Sequence, residues 1–279
     1  MLNREPDYIE LWRQLVLQGQ NRFPGEGSSF NRKDKAAAFE AGSRRKNQDR
    51  PDPLIDFVVN ELKPGETALD IGAGTGRWTL PLARVASKVT AIEPAGAMAE
   101  ILKANADEAG VAGKIEFVSD TWEEADVAAH DIVVCAHAMY GNPDFATFIN
   151  RMESLAMKRC YLGVRHFPSG GIVQELHTRI FGQPHDSPNF IVAYNALYQM
   201  GIHGNVLMED LRKRWKDNDM ESAFKRAKRH LNLPDSDEKY DGLIQETLDR
   251  RLELIDGAYV WPDGMNSVLI WWDVSPTGN

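Results

Sequence analysis

The 279-residue sequence predicts an α/β fold, in which helices cover both faces of a mostly parallel sheet. Two observations carry this prediction. Short apolar runs alternate with stretches of helical periodicity between Ala68 and Val164, which is the pattern of parallel strands joined by helical crossovers. The first run opens into a glycine-rich loop, and in such sheets ligands bind beyond the carboxyl ends of the strands.

The first strand and its loop read Ala68-Leu69-Asp70-Ile71-Gly72-Ala73-Gly74-Thr75-Gly76. Glycines let the backbone approach a ligand closely, and a helix that starts at about Arg77 presents free N–H groups to it. A nicotinamide or flavin fingerprint has the spacing G-x-G-x-x-G, whereas here the third glycine comes one residue early and an acid precedes the loop. Because Asp70 would repel a pyrophosphate and attract an ammonium group, the loop disfavours a dehydrogenase.

Two further strands also end in acids. Lys88–Ile92 leads to Glu93, nineteen residues after Gly74, where a carboxylate could accept from two neighbouring hydroxyls. A helix is predicted over 95–109, and the third strand ends at Asp120. The fourth strand, 131–136, leads to His137, and the fifth covers 159–164.

This ordered set, D-x-G-x-G-x-G followed by E-P-x-x-x-M and S-D-T-W, resembles the class I S-adenosylmethionine (SAM)-dependent methyltransferases over roughly Leu54 to His166. The resemblance implies a Rossmann-like seven-stranded sheet whose last strand is antiparallel, with SAM as cofactor and S-adenosylhomocysteine (SAH) as product. It implies that Glu93 accepts from both ribose hydroxyls and Asp120 from the adenine amine. The cofactor-binding residues that it implies are Asp70, Gly72, Ala73, Gly74, Gly76, Glu93, Pro94, Met98, Asp120, Thr121, Trp122 and Ala136.

Candidate catalytic residues follow the fourth strand. SAM carries an activated methyl group, so the protein mainly aligns the acceptor and excludes water, and a base is needed only if the acceptor must lose a proton. His137 is the candidate base, or a histidine that only bonds a backbone carbonyl; Tyr140 orients the acceptor or forms the pocket wall. Trp12, Phe39 and His166 are the candidates for the acceptor pocket, together with Phe30, or they are ordinary structural residues.

Composition bears on the acceptor. The net charge of −9 and the sequence pI near 5.3 disfavour a nucleic-acid partner, because phosphate binding needs a basic field. The basic run 44–50 is interpreted as a solvated segment or an anionic-substrate site. Residues 142–145 match only in part a motif of methyltransferases that modify nucleic-acid bases. No metal-binding spacing occurs. We therefore expect a small-molecule acceptor and no metal; the alternative is a SAM-binding protein without transfer activity.

We predict one domain with four parts. They are an N-terminal helical lid (1–52), a SAM-binding core (53–168), a helical insertion with the sixth strand (169–266) and the last strand (267–274). The first helix is expected to end at Gly19, and a helix is expected over 235–255. The insertion should roof the active site, form a homodimer contact, or both; His177, His185 and His203 lie on it. Cys135 and Cys160 should be buried thiols in neighbouring strands. No signal segment or membrane span is expected, so the expected location is the cytoplasm.

Overall fold

The structure, a computed structural model, describes residues 6–22, 33–34, 36–41, 52–167, 169–182, 187–209, 215–262 and 265–274. The strands of these residues are β1 (Thr67–Ile71), β2 (Lys88–Ile92), β3 (Ile115–Val118), β4 (His130–Ala136), β5 (Ala156–His166), β6 (Asn205–Met208), β7 (Lys216–Asp217), β8 (Glu253–Ile255), β9 (Ala258–Val260) and β10 (Asn266–Asp273).

The helices of the same residues have the following bounds. They are α1 (Tyr8–Arg22), α2 (Pro53–Glu61), α3 (Thr79–Val85), α4 (Gly96–Glu108), α5 (Phe145–Ser154), α6 (Ile172–Phe181), α7 (Phe190–Gln199), α8 (Met220–His230) and α9 (Asp241–Arg251).

Seven strands form one sheet in the order β3-β2-β1-β4-β5-β10-β6. The first five of these pair in parallel, and β10 is antiparallel to both β5 and β6. This confirms the predicted seven-stranded sheet with an antiparallel last strand. From β1 the chain order runs outward through β2 on one side and continues at β4 on the other, so a crevice opens between the carboxyl ends of β1 and β4.

Both faces of the sheet are covered, as the alternation of side chains along each strand requires. Helices α1, α5 and α7 bury one face, with Leu69 and Val133 at its centre. Helices α2, α3 and α4 bury the other face, over Ala68 and Val89. Continuous apolar strands therefore produce two cores, one on each side of a single sheet.

Two N-terminal helices illustrate the sequence signals. Helix α2 begins after Asp52, whose carboxylate accepts from the N–H groups of Leu54 and Ile55, and has Pro53 at its first position. Helix α1 continues to Arg22, so the expectation that Gly19 ends it is wrong. The apolar stripe outweighs one glycine, since the helix is fixed to the core by Trp12, which is fully buried and whose Nε1 donates to the carbonyl of Asn142 at 2.9 Å.

The insertion has a hydrophobic core of its own, built by α6, α8 and α9 around Trp261. It also contains a second sheet, β7-β9-β8. The expectation of a helix over 235–255 is wrong at both ends, since the helix begins at Asp241 and stops at Arg251, and β8 follows it. Asp256 and Gly257 have φ of 51° and 77° and connect β8 to β9, as a two-residue hairpin turn requires.

Cys135 and Cys160 lie on the neighbouring strands β4 and β5, and both are buried free thiols, as predicted. Burial raises the pKa of each of these thiols. Among the helices that the structure describes, none has both the length and the apolar character that crossing a bilayer demands.

Candidate functional site

The glycine loop lies at the carboxyl end of β1, where its backbone takes conformations that favour glycine. Gly72, Gly74 and Gly76 have φ of +71°, +57° and +99°. A Cβ on Gly72 would lie 2.2 Å from the Cβ of Ala138, and a Cβ on Gly76 would lie 2.5 Å from the side chain of Leu102. Two of the glycines are therefore needed for space as well as for φ, and the loop after β4 packs directly on the loop after β1.

Glu93 at the end of β2 holds this loop. Its Oε2 accepts from the N–H of Gly74 at 2.7 Å, and its Oε1 accepts from the N–H of Ala95 at 2.8 Å. The residue is 8% exposed, and burial raises the pKa of its carboxyl. A carboxylate has about four lone-pair sites. Two remain for a ligand's hydroxyl groups, so the residue fits the predicted ribose site.

Asp70 lies deeper than its predicted role suggests. The residue is 2% exposed, and its Oδ2 accepts from the hydroxyl of Thr79 at 2.6 Å. Burial raises the pKa of its carboxyl to about 6. In this structure Asp70 therefore fixes the start of α3 beneath the loop.

The far side of the loop is fixed by α4. Asn105 donates to the carbonyl of Thr75 at 2.9 Å and to Glu40 at 3.0 Å, which connects the loop to residues 36–41. Met98, the predicted neighbour of the adenine, is 4% exposed and packs with Ala36. Pro94 is exposed beside Glu93. This N-terminal segment thus contacts the predicted cofactor side, although Phe39 is 48% exposed.

The residues after β3 divide into two groups. Asp120 and Thr121 are exposed at the sheet edge, where they are open to a ligand. Trp122 is 6% exposed, lies 4.3 Å from the guanidinium of Arg151, and packs against Phe148 in the core. Its buried Nε1 has no hydrogen-bond partner among the described residues. Asp120 and Trp122 therefore face different surroundings.

His137 follows Ala136 at the end of β4 in a strained conformation. Its φ is 60°, which is uncommon for a residue other than glycine. Its N–H donates to the carbonyl of Gly163 at 2.8 Å. Nδ1 lies 2.8 Å from the hydroxyl of Tyr140, and Nε2 lies 3.1 Å from the hydroxyl of Ser267 on β10. The imidazole is exposed and oriented from both sides.

Two tautomers satisfy this network. In both, the hydroxyl oxygen of Tyr140 accepts from the backbone N–H of Arg165 at 2.6 Å, because that N–H can only donate. In one, Tyr140 donates to Nδ1, and Nε2–H donates to Ser267. In the other, Nδ1–H donates to Tyr140, and Nε2 accepts from Ser267. Only the second presents a lone pair on Nε2. Burial raises the pKa of Tyr140 to about 12, so it acts as a neutral partner.

The three candidates for the acceptor pocket are not brought together. Trp12 is a core residue against Phe145, with ring centroids 4.8 Å apart. His166 at the end of β5 packs on Phe190, and burial lowers its pKa; its buried Nδ1 has no hydrogen-bond partner among the described residues. Phe39 lies with the N-terminal segment. Trp12 reaches the segment of Tyr140 only from within the core, through its bond to the carbonyl of Asn142.

The remaining sequence candidates lie elsewhere. His177 is buried within the insertion, and His203 is exposed with its ring near Tyr198. Phe30, His185 and the basic run 44–50 lie outside the described residues. Within the described ranges, no group of three or more His, Cys, Asp or Glu side chains is arranged to hold a metal ion. Ser267 was missed by the sequence analysis, because a serine at the start of a strand carries no local signal.

Part of the chain is similar to known methyltransferases. Residues 68–158 match a family described as a methyltransferase domain. A "Ubiquinone biosynthesis O-methyltransferase" from Methylobacterium is 32% identical over 124 residues, which are 43% of this chain and 45% of that protein. A mitochondrial "Ribosomal RNA small subunit methyltransferase" from Arabidopsis thaliana is 30% identical over 147 residues, 51% of this chain and 36% of that protein.

The chain thus spans less than half the length of either of these relatives. Among solved structures, the YcgJ protein from Bacillus subtilis superposes with a TM-score of 0.53 at 18% identity, over 80% of this chain and 98% of that one. That likeness concerns the fold. The matched domain contains the glycine loop, Glu93 and Asp120, and it ends at the third residue of β5. Residues 68–158 therefore match the methyltransferase-domain family, and the seven-stranded sheet that contains them has the Rossmann-like fold of the class I SAM-dependent methyltransferases.

Proposed function

We propose that the protein transfers the methyl group of SAM to an O, N, S or C atom of a small-molecule acceptor. The observation that carries the proposal is the bond from the N–H of Gly74 to Glu93, which joins the glycine loop to the acid of the next strand. In this proposal the nucleoside lies across the ends of β1, β2 and β3. Glu93 accepts from the ribose hydroxyls, Asp120 and Thr121 lie at the adenine edge, and Pro94, Met98, Ala73 and Ala136 border the site.

The chemistry that SAM supplies is an activated methyl group on a sulfonium. The protein's residues then have two tasks, which are to direct an acceptor lone pair at that methyl and to exclude water. The crevice between β1 and β4 suits both tasks, because the loop of Gly72 and the loop of His137 are in direct contact there.

His137 is the proposed base. In the tautomer with a hydrogen on Nδ1, Tyr140 accepts that hydrogen bond, and the lone pair on Nε2 can take a proton from the acceptor once the acceptor displaces Ser267. An acceptor hydroxyl or amine would then occupy the position at Nε2 that Ser267 has in this structure. Tyr140 is a positioning residue, since it acts through the ring of His137.

The acceptor class is supported by the net charge of −9, which opposes the approach of a polyphosphate. The name of the Methylobacterium relative also refers to a small-molecule pathway. An RNA acceptor is the second candidate, because the Arabidopsis relative is named for ribosomal RNA. A SAM-binding protein without transfer activity is the third.

The test has two parts. Calorimetric titration with SAM and SAH measures cofactor binding, and failure to bind either at millimolar concentration would end the proposal. Release of SAH is then followed with a small-molecule extract and, separately, with ribosomal RNA. Turnover with the extract alone supports the proposal, turnover with RNA alone replaces its acceptor class, and binding without any turnover favours the non-catalytic alternative.

His137→Ala and Tyr140→Phe separate base from positioning residue. We expect His137→Ala to lower kcat by about 100-fold, the lower range for loss of a general base. Tyr140→Phe should lower kcat less and change its pH profile, because the tautomer of His137 is then no longer fixed. If His137→Ala keeps full turnover, the acceptor needs no base and the assignment is wrong.

A further inference from the structure

The guanidinium of Arg165, near the end of β5, differs in its charge partners from most other arginines of the described chain. The partly buried arginines of the described chain typically have an acid partner. These pairs are Arg77 with Asp52, Arg159 with Glu61 and Asp273, Arg179 with Glu246, Arg226 with Asp217, and Arg251 with Glu175. Arg151 instead donates to the carbonyls of Trp122 and Ala125. For Arg165 the described residues provide no carboxylate within ion-pair distance.

The guanidinium is nevertheless held in place. Its carbon lies 3.9 Å from the centre of the Tyr140 ring, and its Nε donates to the carbonyl of Pro188 at 3.2 Å. The stacked face is covered by Tyr140, and the Nε bond uses one of five N–H donors. This arrangement orients a planar cation and leaves much of its donor edge available.

The surroundings on the insertion side are also basic. Burial lowers the pKa of His230 to about 4, and the positive charges of Arg226, Arg229, His177 and Arg165 contribute to this shift. Arg226 is neutralised by Asp217, but Arg165 has no such partner in the described chain. A charge taken partly out of water is unfavourable when nothing compensates it, so this region is suited to a negative ligand group.

We propose that Arg165 binds an anionic group, a carboxylate or a phosphate, of the methyl acceptor. This inference rests on the proposed function and makes it more specific. The same residue that donates its backbone N–H to Tyr140 would hold the acceptor with its side chain. Tyr140 contacts both His137 and Arg165, so the anionic group and the acceptor atom would bind on two sides of one aromatic ring. A guanidinium favours such groups because two parallel N–H donors match two oxygens.

The matched control is Arg159, which lies on the same strand six residues earlier. It also stacks on an aromatic ring, that of Trp271 at 4.7 Å, but its charge is paired with Asp273 and Glu61. We expect Arg165→Met to abolish the anion site and Arg165→Lys to weaken it, while Arg159→Met leaves it unchanged. The melting temperature of each variant is measured first, and Arg165→Lys remains informative if Arg165→Met does not fold.

The experiment titrates the SAH complex of each protein with benzoate, phenyl phosphate and the neutral benzamide. We expect one of the two anions to bind the wild type at least about tenfold more tightly than benzamide, and which one it is distinguishes carboxylate from phosphate. Arg165→Met should remove this preference, and Arg165→Lys should reduce it about threefold, because lysine keeps the charge but loses the fork. The affinity for SAH should be unchanged in both.

Two results would overturn the proposal while leaving the cofactor site intact. One is a wild-type SAH complex that binds the anions no better than benzamide. The other is an anion preference that Arg165→Met and Arg159→Met retain equally. Failure of the wild type to bind SAH is a different result, since it overturns the proposed function itself.

Discussion

The cofactor side and the acceptor side of the site are built in different ways. On the cofactor side, the glycine loop, Glu93 and Asp120 follow three consecutive strands, and the bonds of Glu93 are made to backbone N–H groups. On the acceptor side, His137, Tyr140, Arg165 and Ser267 come from β4, β5 and β10, and their bonds are mostly made by side chains. Because its bonds fix the backbone, we expect the cofactor side to tolerate few substitutions. The side chains of the acceptor side can be changed one at a time without loss of the sheet.

The two sides meet where Gly72 packs against Ala138, and disturbing this contact should have the largest effect on stability. Gly72→Ala places a Cβ where Ala138 lies and forces alanine to a φ of +71°. We expect the free energy of unfolding to fall by between about 2 and 5 kcal/mol, from overpacking and backbone strain together. Urea denaturation measures this change.

The control for that prediction is Gly74→Ala. Gly74 has a φ of +57° but has open space where its Cβ would be, so the variant should lose only the strain, about 1–2 kcal/mol. Equal losses in the two variants would show that Ala138 moves away easily and that the two loops are independent.

Acid should affect the insertion and the cofactor side in opposite directions. The pKa of His230, in the insertion, is lowered to about 4 from 6.5, so the unfolded chain binds more protons between these values and stability falls as the pH falls. The pKa of Asp70 is raised to about 6 from 3.8, so the folded protein binds more protons in its window and stability rises as the pH falls. Each shift corresponds to up to about 3 kcal/mol.

Two variants separate these contributions. Between pH 7 and pH 4, His230→Phe should gain up to about 3 kcal/mol of unfolding free energy relative to the wild type, and Asp70→Asn should lose a similar amount relative to it. Phenylalanine keeps the stacking on Trp215, whose ring lies 4.4 Å from that of His230. Denaturation curves at several pH values test both, and parallel curves for His230→Phe and the wild type would contradict the assignment.

Glu93→Ala tests the cofactor side alone. It leaves the ribose hydroxyls and the N–H groups of Gly74 and Ala95 without an acceptor, so we expect SAM to bind about 2 kcal/mol more weakly, or roughly 30-fold. Because the residue is buried, stability should fall as well. Glu116→Ala is the control, since that acid is exposed on β3 and pairs with Lys88. Calorimetry should show an unchanged dissociation constant for the control.

The cofactor side could be predicted because its signals are local. A glycine spacing and acids at strand ends lie within a few residues of each other, so Glu93 was placed at the end of the second strand from the sequence alone, although its bond to the N–H of Gly74 was not predicted. The alternation of elements predicted the parallel strands, and the family resemblance implied the antiparallel last strand. The sequence did not indicate how deeply Asp70 is buried, because its bond to Thr79 depends on how α3 packs over β1.

The acceptor side could be predicted only in part. Ser267 lies 130 residues from His137, and no local pattern marks a contact over that separation. The small sheet of the insertion was missed for a different reason. Asp256-Gly257 is a strong hairpin signal, but the predicted helix was extended up to it, over the residues that form β8.

Ser267→Ala tests the acceptor side alone and has the smallest expected effect. The variant removes the bond from Ser267 to His137 and keeps the bond to Tyr140. In the proposed mechanism the acceptor must displace Ser267 from Nε2, so with an acceptor found by SAH release we expect kcat/KM to rise about fivefold, near 1 kcal/mol, and the affinity for SAM to stay the same. A fall would contradict this expectation, because it would mean that Ser267 orients His137 during the reaction. With the expected rise, the acceptor side is held by Tyr140 and Arg165, and the residue from β10 only closes the site when it is empty.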